Sequence, residues 1–244
     1  MDSDTEKVES YGDPISSIVT QQENLLDEWY LKAEKYWSEI PATVDGVLGG
    51  FGFISQIDIH ESKKFLQQIL KMKNAPKTEH ALDCGAGIGR ITKCLLSHVF
   101  EKVDLVEQNP QFLEAFKNNI EPEISLKIEN IFCCGLQNFT PKEEFYDVIW
   151  IQWVLGHLTD THFVKFLTDC SKGLKSNGVI IIKENVTSSG DVEIDSEESS
   201  VTRPLSVLKD LFSKAGLNCI VSCKQKNFPK GLYSVYMFAL KYIY

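Results

Sequence analysis

Glycines and carboxylates between residues 80 and 107 have the spacing of a nucleoside-binding unit. A short apolar run enters a turn that contains Gly85, Gly87 and Gly89, and a second apolar run ends at Glu107. Glycine lets the backbone turn sharply and approach a ligand closely. A carboxylate about twenty residues after the turn can accept hydrogen bonds from both ribose hydroxyls. The pattern therefore predicts a strand–turn–helix–strand unit that binds a nucleoside.

Details of the turn favour S-adenosylmethionine over a nicotinamide dinucleotide. A dinucleotide turn seats a pyrophosphate at a helix N-terminus. Here an acid, Asp83, precedes the glycines, and S-adenosylmethionine tolerates an acid because it carries an amino acid and a sulfonium in place of phosphate. Arg90 can meet its methionine carboxylate through a bidentate contact. A glycine turn that binds nothing is the alternative, and the agreement of Arg90 and Glu107 with the pattern disfavours it.

The distribution of apolar residues divides the 244-residue chain into three segments. Residues 1–24 are polar and are expected to form a mobile arm. Residues 25–74 are expected to form helices over Leu25–Tyr36 and Ile57–Lys73, with a glycine-rich loop between them that covers a pocket. Residues 75–244 alternate strands and helices, which predicts an α/β domain with helices on both faces of a parallel sheet.

Apolar runs predict the strands Ala81–Cys84, Val103–Glu107, Ile124–Ile128 or Ile131–Cys134, Tyr146–Gln152, Val179–Lys183, Leu217–Gln225 and Tyr233–Leu240. Helices are expected after Gly89, near Pro110, from Asp160 to Leu174 and from Leu205 to Ala215. The connection between the last two strands is too short for a helical crossover, so this pair must be antiparallel. By analogy of fold, the pattern is that of a class I methyltransferase: a Rossmann-like, seven-stranded, mostly parallel sheet with a terminal antiparallel strand.

Composition and charge narrow the classes of partner. A formal net charge of −9 repels phosphate backbones, so nucleic acid is not expected as a partner. The acidity either attracts cationic partners or only keeps the protein in solution. No apolar run is long enough to span a membrane, and the acidic start is unlike a signal peptide. Seven cysteines without a CxxC pair indicate reduced thiols inside a cell and no metal site.

Polar side chains that follow the third and fourth strands are candidates for ligand contacts. Leu136 and Gln137 are expected to read the adenine edge, unless this segment is an ordinary strand exit. Gln152 and Trp153 are expected near the sulfonium, because an indole face stabilises a cation. His157 follows them, and structural and functional interpretations of this histidine are equally favoured.

The segment after the fifth strand is polar and acidic. It begins near Asn185 and carries carboxylates at Asp191, Glu193, Asp195, Glu197 and Glu198. Such a loop is either a solvated surface or the mouth of a site for a cationic substrate, in which one acid acts as a base.

These segments resemble those of the α-N-terminal protein methyltransferases over residues 28–240. The most specific matches are Thr43–Gly46 with Leu48–Gly50, and the run Trp150–Asp160. The resemblance implies an intracellular enzyme of the nucleus or cytoplasm. It implies methyl transfer from S-adenosylmethionine to the free α-amino group of proteins that begin X-Pro-Lys or X-Pro-Arg.

The resemblance also implies roles for individual residues. Those implied to bind S-adenosylmethionine are Gly85, Gly87, Arg90, Glu107, Leu136, Gln137 and Gln152. Those implied to hold the substrate are Trp37, Trp153 and Asn185 at its N-terminus, Leu48, Ile54 and Leu232 around its proline, and Asp195 with Ser200 at its third residue. His157 and Glu198 are implied to assist deprotonation, with Asn185 beside the reacting amine.

The chain departs from the family pattern at three acids. Glutamates stand at Glu107, Glu184 and Glu198 where the family usually has aspartate, and the loop before Glu198 is one residue longer. A shifted alignment would give the deprotonating role to another acid of residues 191–198. Two other functions stay open: a catalytically silent S-adenosylmethionine-binding protein that docks peptides, and a methyltransferase that acts on small molecules or RNA.

Overall fold

The computed structural model describes residues 14–242. Its helices are α1 (Pro14–Glu39), α2 (Val44–Val47), α3 (Ser55–Leu70), α4 (Arg90–Cys94), α5 (Pro110–Asn118), α6 (Pro122–Ser125), α7 (Asp160–Gly173) and α8 (Leu205–Lys214). Its strands are β1 (His80–Cys84), β2 (Lys102–Glu107), β3 (Ile128–Cys133), β4 (Tyr146–Gln152), β5 (Leu174–Val186), β6 (Glu193–Asp195), β7 (Ser200–Thr202), β8 (Leu217–Lys224) and β9 (Ser234–Tyr242). Over these residues, no helix has the length and apolar character needed to cross a membrane.

Seven strands form one sheet in the order β3-β2-β1-β4-β5-β9-β8. Strands β1 to β5 pair in parallel, whereas β9 runs antiparallel to both β5 and β8. The predicted class I sheet with an antiparallel strand near its end is therefore confirmed. A separate antiparallel pair, β6 and β7, was not predicted.

Helices cover both faces of this sheet, and β5 shows how the sequence encodes the arrangement. Val179 and Ile181 pack into one apolar cluster, together with residues of α3, α4 and α5. Ile180 and Ile182 point the other way into a second cluster, with residues of α7 and α8. All four side chains are fully buried. A strand that is buried on both faces has a continuous apolar sequence. The central part of β5 has such a sequence and was therefore predicted correctly.

The first helix starts earlier than predicted. Helix α1 begins at Pro14, whereas the sequence pattern predicted a start at Leu25. Proline suits the first turn of a helix because its φ angle is already helical and no hydrogen bond is lost there. Ile15, Ile18 and Val19 also stand at helical spacing before Leu25, a signal that the sequence analysis did not use. The boundary drawn at residue 24 therefore falls inside α1, and residues 1–13 of the predicted arm lie outside the described residues.

The largest differences from the predicted strands are at β3 and β5. The alternative Ile124–Ile128 for the third strand is wrong, because Ile124 lies in α6, where Pro122 occupies the start of the helix. The observed β3 overlaps the other alternative. Strand β5 begins at Leu174, five residues before the predicted start. Its polar first half lies beyond a register shift against β4 and carries no apolar signal.

Gly89 holds the junction between the glycine turn and α4. Its φ angle is +71°, and a Cβ atom there would lie 2.2 Å from Cδ2 of Phe116 in α5. Phe116 is itself buried, so its ring has little room to move. Both the backbone angle and the close approach of the ring therefore require glycine at this position.

We expect Gly89→Ala to lower the free energy of unfolding by about 2–4 kcal/mol, the combined cost of backbone strain and overpacking. Gly190→Ala is a matched control, because its φ angle is also left-handed at +88° but no atom lies within 4 Å of the added Cβ. The free energy of unfolding of the control variant should fall by only about 1–2 kcal/mol. Urea unfolding of both variants measures the difference, and equal losses would contradict a role for Phe116.

A buried carboxyl group lies at the end of β5. Glu184 is 8% exposed, and its Oε1 accepts a hydrogen bond from the amide of Asn185 at 2.9 Å. Its Oε2 is buried and has no hydrogen-bond partner among the described residues. Burial raises the pKa of Glu184 to about 7, although the Asn185 amide and the charge of Arg203 act in the opposite direction.

Glu184 is therefore expected to make stability fall as pH rises. The unfolded carboxyl titrates near pH 4.3, so between that pH and about 7 the folded state holds a proton that the unfolded state has released. Glu184→Gln removes this titration. The unfolding free energy of the variant minus that of the wild type should grow from pH 5 to pH 7.5, by at most about 3 kcal/mol. Urea titrations across this range measure it, and a constant difference would refute the buried-carboxyl explanation.

Candidate functional site

The turn after β1 is fixed against the end of β2. The backbone is left-handed at Gly85 and Gly87, with φ angles of +69° and +56°. The amide of Gly87 donates to Oε2 of Glu107 at 2.8 Å. The other carboxylate oxygen accepts from the amide of Asn109, also at 2.8 Å. Each carboxylate oxygen has further lone pairs, so Glu107 can still accept hydrogen bonds from a ligand.

Asp83, the acid before the turn, is tied to the helix that follows. Its Oδ2 accepts hydrogen bonds from the amide of Thr92 at 3.0 Å and from the Thr92 hydroxyl at 2.6 Å. Burial raises the pKa of Asp83 to about 6, while these two hydrogen bonds act to lower it. The carboxyl group therefore holds α4 against β1.

A cavity of about 990 Å³, here called the first cavity, opens where the strand order reverses between β1 and β4. Ligands in open α/β sheets bind at this point. Every residue predicted to bind the cofactor lines the first cavity, namely Gly85, Gly87, Arg90, Glu107, Leu136, Gln137 and Gln152.

One end of the first cavity is formed by the segment after β3. Residues Leu136–Asn138 make a single 3₁₀ turn, and Leu136 is buried. Cys134, Gly135 and Gln137 line the cavity beside it. An apolar side chain next to an amide and free backbone groups is suited to hold a flat base and read its edge.

A buried ion-pair network lies behind the opposite end of the first cavity. Nη1 of Arg90 donates to Oδ2 of Asp58 at 2.6 Å. Nε2 of Gln152 donates to the same carboxylate at 3.0 and 3.1 Å, and Nζ of Lys183 lies 2.5 Å from its Oδ1. Sequence analysis missed Asp58. The available signal was its helical spacing with Ser62 and the apolar residues of α3, which puts this acid on the buried face.

A second cavity of about 1080 Å³ adjoins the first. Predicted substrate and catalytic residues that line it are Trp37, Leu48, Ile54, Trp153, His157, Asn185, Glu198, Ser200 and Leu232. Its lining contains the carboxylates of Glu184 and Glu198, and no lysine or arginine among the described residues. The second cavity therefore suits a cation that carries an apolar group.

The two cavities share one wall. Residues that line both are Trp37, Val47, Leu48, Trp153 and His157. They come from α1, from the glycine-rich loop at α2 and from the segment after β4. The two cavities are therefore adjacent at these mostly apolar residues, and groups bound in them would lie next to each other there.

His157 is held in one tautomer by its neighbours. The indole N–H of Trp37 donates to Nε2 at 3.1 Å, so this nitrogen carries a lone pair. Nδ1 lies 3.1 Å from the carbonyl oxygen of Ser199, which can only accept, so Nδ1 carries the proton. The indole of Trp29 also donates to the carbonyl of His157 at 2.7 Å. The ring is thus neutral, and Trp37 occupies its basic nitrogen.

Asp195 differs from the other predicted substrate residues because it does not line either cavity. It is exposed at the end of β6, and its Oδ1 accepts hydrogen bonds from the amides of Glu197 and Glu198 at 2.8 and 3.3 Å. Asp195 therefore shapes the turn that carries Glu198. Glu198 in turn accepts a hydrogen bond from the hydroxyl of Ser200 at 2.5 Å.

The acidic turn creates a negative field at the edge of α1. Burial raises the pKa of Tyr36, and the carboxylates of Glu198, Glu197 and Asp195 raise it further. Because these charges surround one side of the second cavity, a cationic ligand would be attracted there.

Trp153 has a strained backbone. Its φ angle is +54°, which is unusual for a bulky residue, and its amide donates to the carbonyl of Lys183 at 3.0 Å. Its ring centroid lies 5.7 Å from the guanidinium carbon of Arg90. The indole nitrogen is buried and without a hydrogen-bond partner among the described residues. Strain of this kind is concentrated at functional sites, and here it turns the ring into the wall between the cavities.

Comparisons with known proteins agree with this geometry. A family model described as AdoMet dependent proline di-methyltransferase matches residues 26–241. N-terminal Xaa-Pro-Lys N-methyltransferase 1 of Xenopus tropicalis is 52% identical over 217 residues, which cover 88% of this chain and 96% of that protein. The Homo sapiens protein of the same name is 50% identical over 215 residues, with the same two coverages.

Solved structures show the same similarity. A SAM-dependent methyltransferase from Leishmania major has 38% identity and a TM-score of 0.82, covering 87% of this chain and 83% of that one. The 1,6-didemethyltoxoflavin-N1-methyltransferase of Burkholderia thailandensis, solved with S-adenosylhomocysteine, has 15% identity and a TM-score of 0.61, covering 96% and 93%, and supports the fold alone. The extent of the family match and the identity to these relatives establish that the chain belongs to the AdoMet-dependent proline di-methyltransferase family.

Proposed function

We propose that this protein transfers methyl groups from S-adenosylmethionine to the free α-amino group of polypeptides that begin X-Pro-Lys or X-Pro-Arg. The observation that carries the proposal is the pair of cavities with a common wall of Trp37, Leu48, Trp153 and His157. Methyl transfer from a sulfonium is an in-line displacement, so donor and acceptor must be in direct contact, and the residues common to both cavities mark where the two ligands would lie side by side. The names of the relatives from Xenopus tropicalis and Homo sapiens support the same substrate.

S-adenosylmethionine occupies the first cavity in this proposal. Glu107 accepts hydrogen bonds from the ribose hydroxyls, and Leu136 and Gln137 hold the adenine. Arg90 pairs with the methionine carboxylate, and Gln152 lies beside this carboxylate. The turn at Gly85 and Gly87 brings the backbone close to the ligand. Support comes from the lining of the first cavity, in which a cationic side chain and a ribose-type acceptor lie at separate points.

The beginning of the substrate occupies the second cavity. Leu48, Ile54 and Leu232 form the slot for the second-residue proline, whose fixed φ angle keeps the entropy cost of binding low. All three line the second cavity. Asn185 holds the first residue, with Trp37 and Trp153 as the aromatic wall.

The third residue, lysine or arginine, reaches the acidic turn. Ser200 lines the second cavity, and Asp195 lies on the exposed side of the same hairpin. Because β6 and β7 place both residues in directly paired positions, one long basic side chain can pass from one to the other. The negative field of this turn supports the assignment.

Deprotonation of the amine is assigned to Glu198 and His157. An α-amino group has a pKa of about 8, so a base has to provide only about 1.4 kcal/mol at pH 7. Both residues line the second cavity. For His157 to accept the proton, Trp37 has to release Nε2, because its indole occupies this nitrogen at 3.1 Å. Alignment of the reacting atoms accounts for most of the acceleration.

We also propose that the protein works inside the cell, in the nucleus or the cytoplasm. All seven cysteines are free thiols, and the buried Cys84 and Cys170 are not paired with each other. Free thiols are typical of a reducing compartment.

Peptides that differ only at the amine test the reaction. A peptide beginning Ser-Pro-Lys should be methylated by labelled S-adenosylmethionine, whereas its N-acetyl form should not, because acetylation removes the nucleophilic lone pair. Mass spectrometry of the products locates the methyl group. Methylation of the acetylated peptide would contradict the proposal. Cofactor binding without turnover would favour the peptide-docking protein, and turnover only with RNA or small molecules would favour the other alternative.

Leu232→Ala provides a matched control, because Leu232 lines the second cavity and not the first. The variant should raise the KM for the Ser-Pro-Lys peptide several-fold and leave the KM for S-adenosylmethionine unchanged. Equal changes in both constants would mean that the two ligands do not occupy separate cavities.

A pH profile tests the role of His157. If this residue accepts the proton, His157→Ala should lower kcat more at pH 6.5 than at pH 9, because most of the amine is already neutral at the higher pH. Trp37→Phe keeps an aromatic ring but removes the donor to Nε2. It should therefore not reproduce the steeper loss at pH 6.5. A loss from His157→Ala that is the same at both pH values would assign the histidine to positioning of the wall.

A further inference from the structure

The side chain of Asp58 is fully buried on α3 and does not line either cavity. Its carboxylate is nevertheless bonded to two residues that line the first cavity, Arg90 at 2.6 Å and Gln152 at 3.0 and 3.1 Å. It also lies 2.5 Å from Nζ of Lys183. One carboxylate outside the cavity therefore fixes two of its polar side chains.

Charges in this network do not balance. Asp58 carries one negative charge, whereas Arg90 and Lys183 each carry one positive charge, and all three are buried. Burial lowers the pKa of Lys183, while the charge of Asp58 and its hydrogen bond hold this pKa up. The ammonium also donates to the hydroxyl of Ser62 at 2.9 Å. Asp83, which also lines the first cavity, interacts with Arg90 through its charge. Because an uncompensated buried charge is costly, an anion that approaches Arg90 from the cavity side would stabilise the network further.

Arg90 is the member of the network that can meet this anion. Its hydrogen bonds within the described residues, to Asp58 and Ser55, both use Nη1. Arg90 lines the first cavity, and its other guanidinium nitrogens make no hydrogen bond to the described residues. A planar fork held at one nitrogen presents its remaining N–H groups in a fixed direction, which suits a carboxylate.

Gln152 is oriented in the same way. Its Oε1 accepts a hydrogen bond from the indole of Trp150 at 3.0 Å, and its Nε2 donates to Asp58. With both ends engaged, the amide cannot flip. Asp58 therefore determines the direction of both the charged and the neutral polar group at this end of the cavity.

We propose that Asp58 is a positioning residue that orients Arg90 and Gln152 for the methionine carboxylate of the cofactor. This inference rests on the proposed placement of that carboxylate at Arg90. It assigns a cofactor-recognition role to α3, a helix that directly follows the slot residue Ile54 and contributes no side chain to the first cavity.

Two adenosine ligands separate positioning from general stability. S-adenosylhomocysteine carries the amino acid carboxylate, whereas 5′-methylthioadenosine lacks it. Asp58→Asn should weaken S-adenosylhomocysteine binding at least tenfold in calorimetry and leave 5′-methylthioadenosine binding unchanged. An equal loss for both ligands would mean that the variant distorts the whole cavity, and no loss for either would also overturn the proposal.

Three further variants complete the test, namely two single variants and then one double variant. Glu61→Gln changes a carboxylate to an amide on the same helix, where Glu61 pairs with Lys64 on the surface side, and should alter neither affinity. Arg90→Gln should weaken S-adenosylhomocysteine alone. If it has no selective effect, the placement of the carboxylate fails, and the role of Asp58 fails with it. If Arg90→Gln is selective and Asp58→Asn is not, only the role of Asp58 fails.

Asp58→Asn combined with Lys183→Met restores the net charge of the network, which protects folding if the single variant is unstable. The selective loss of S-adenosylhomocysteine binding should persist in this double variant, because the charged carboxylate whose two oxygens accept from Arg90 and Gln152 is still absent. Recovery of wild-type affinity would instead assign Asp58 to charge balance and overturn the positioning role.

Discussion

The site depends on the reversal of strand order between β1 and β4. These strands are neighbours, yet the chain that leaves each one turns away to cover a different part of the sheet, and a crevice opens between the two exits. The glycine turn at Gly85 leaves one side of the crevice, and Trp153 leaves the other. Asn185 ends the adjacent strand. Three segments that are distant in sequence therefore meet at one edge of the sheet.

Helix α1 closes this crevice through the polar tips of its aromatic residues. Trp29 donates to the carbonyl of His157, Trp37 donates to its ring, and the hydroxyl of Tyr30 lies 2.6 Å from Nδ1 of His162. Polar atoms removed from water are stabilised by hydrogen bonds, so these contacts restrict both the rotation and the axial position of the helix. Trp37 can then form the common wall, because the residues after β4 hold it there.

Local spacing predicted the first cavity well, because its residues lie in a turn and at strand ends that the chain order already brings together. The network behind it could not be found in this way. The spacing of Asp58 with Ser62 and the apolar residues of α3 indicates only that this acid lies on the buried face, and the packing of α3 against β5 brings it to Lys183. Strands β6 and β7 were missed because each is only three residues long and contains a single apolar residue, which is too short for an alternating pattern to mark it. Asp195 was expected in a loop but ends strand β6, and its hydrogen bonds to the next turn depend on backbone geometry that spacing does not reveal.

The proposed selectivity for an α-amine follows from the charges around the second cavity. Glu198 lines it, and Glu184, whose pKa burial raises to about 7, adds only part of a negative charge at pH 7. No lysine or arginine of the described residues belongs to the lining, so a bound ammonium is stabilised and becomes harder to deprotonate. At pH 7 the deficit is about 1.4 kcal/mol for an α-amine but about 4.6 kcal/mol for a lysine side chain. The carboxylates that attract a cationic peptide therefore add to a small cost of deprotonation for the α-amine. For the lysine side chain they add to a cost that is already large. An acidic cavity of this kind can methylate a chain terminus while a lysine, bound equally well, stays protonated.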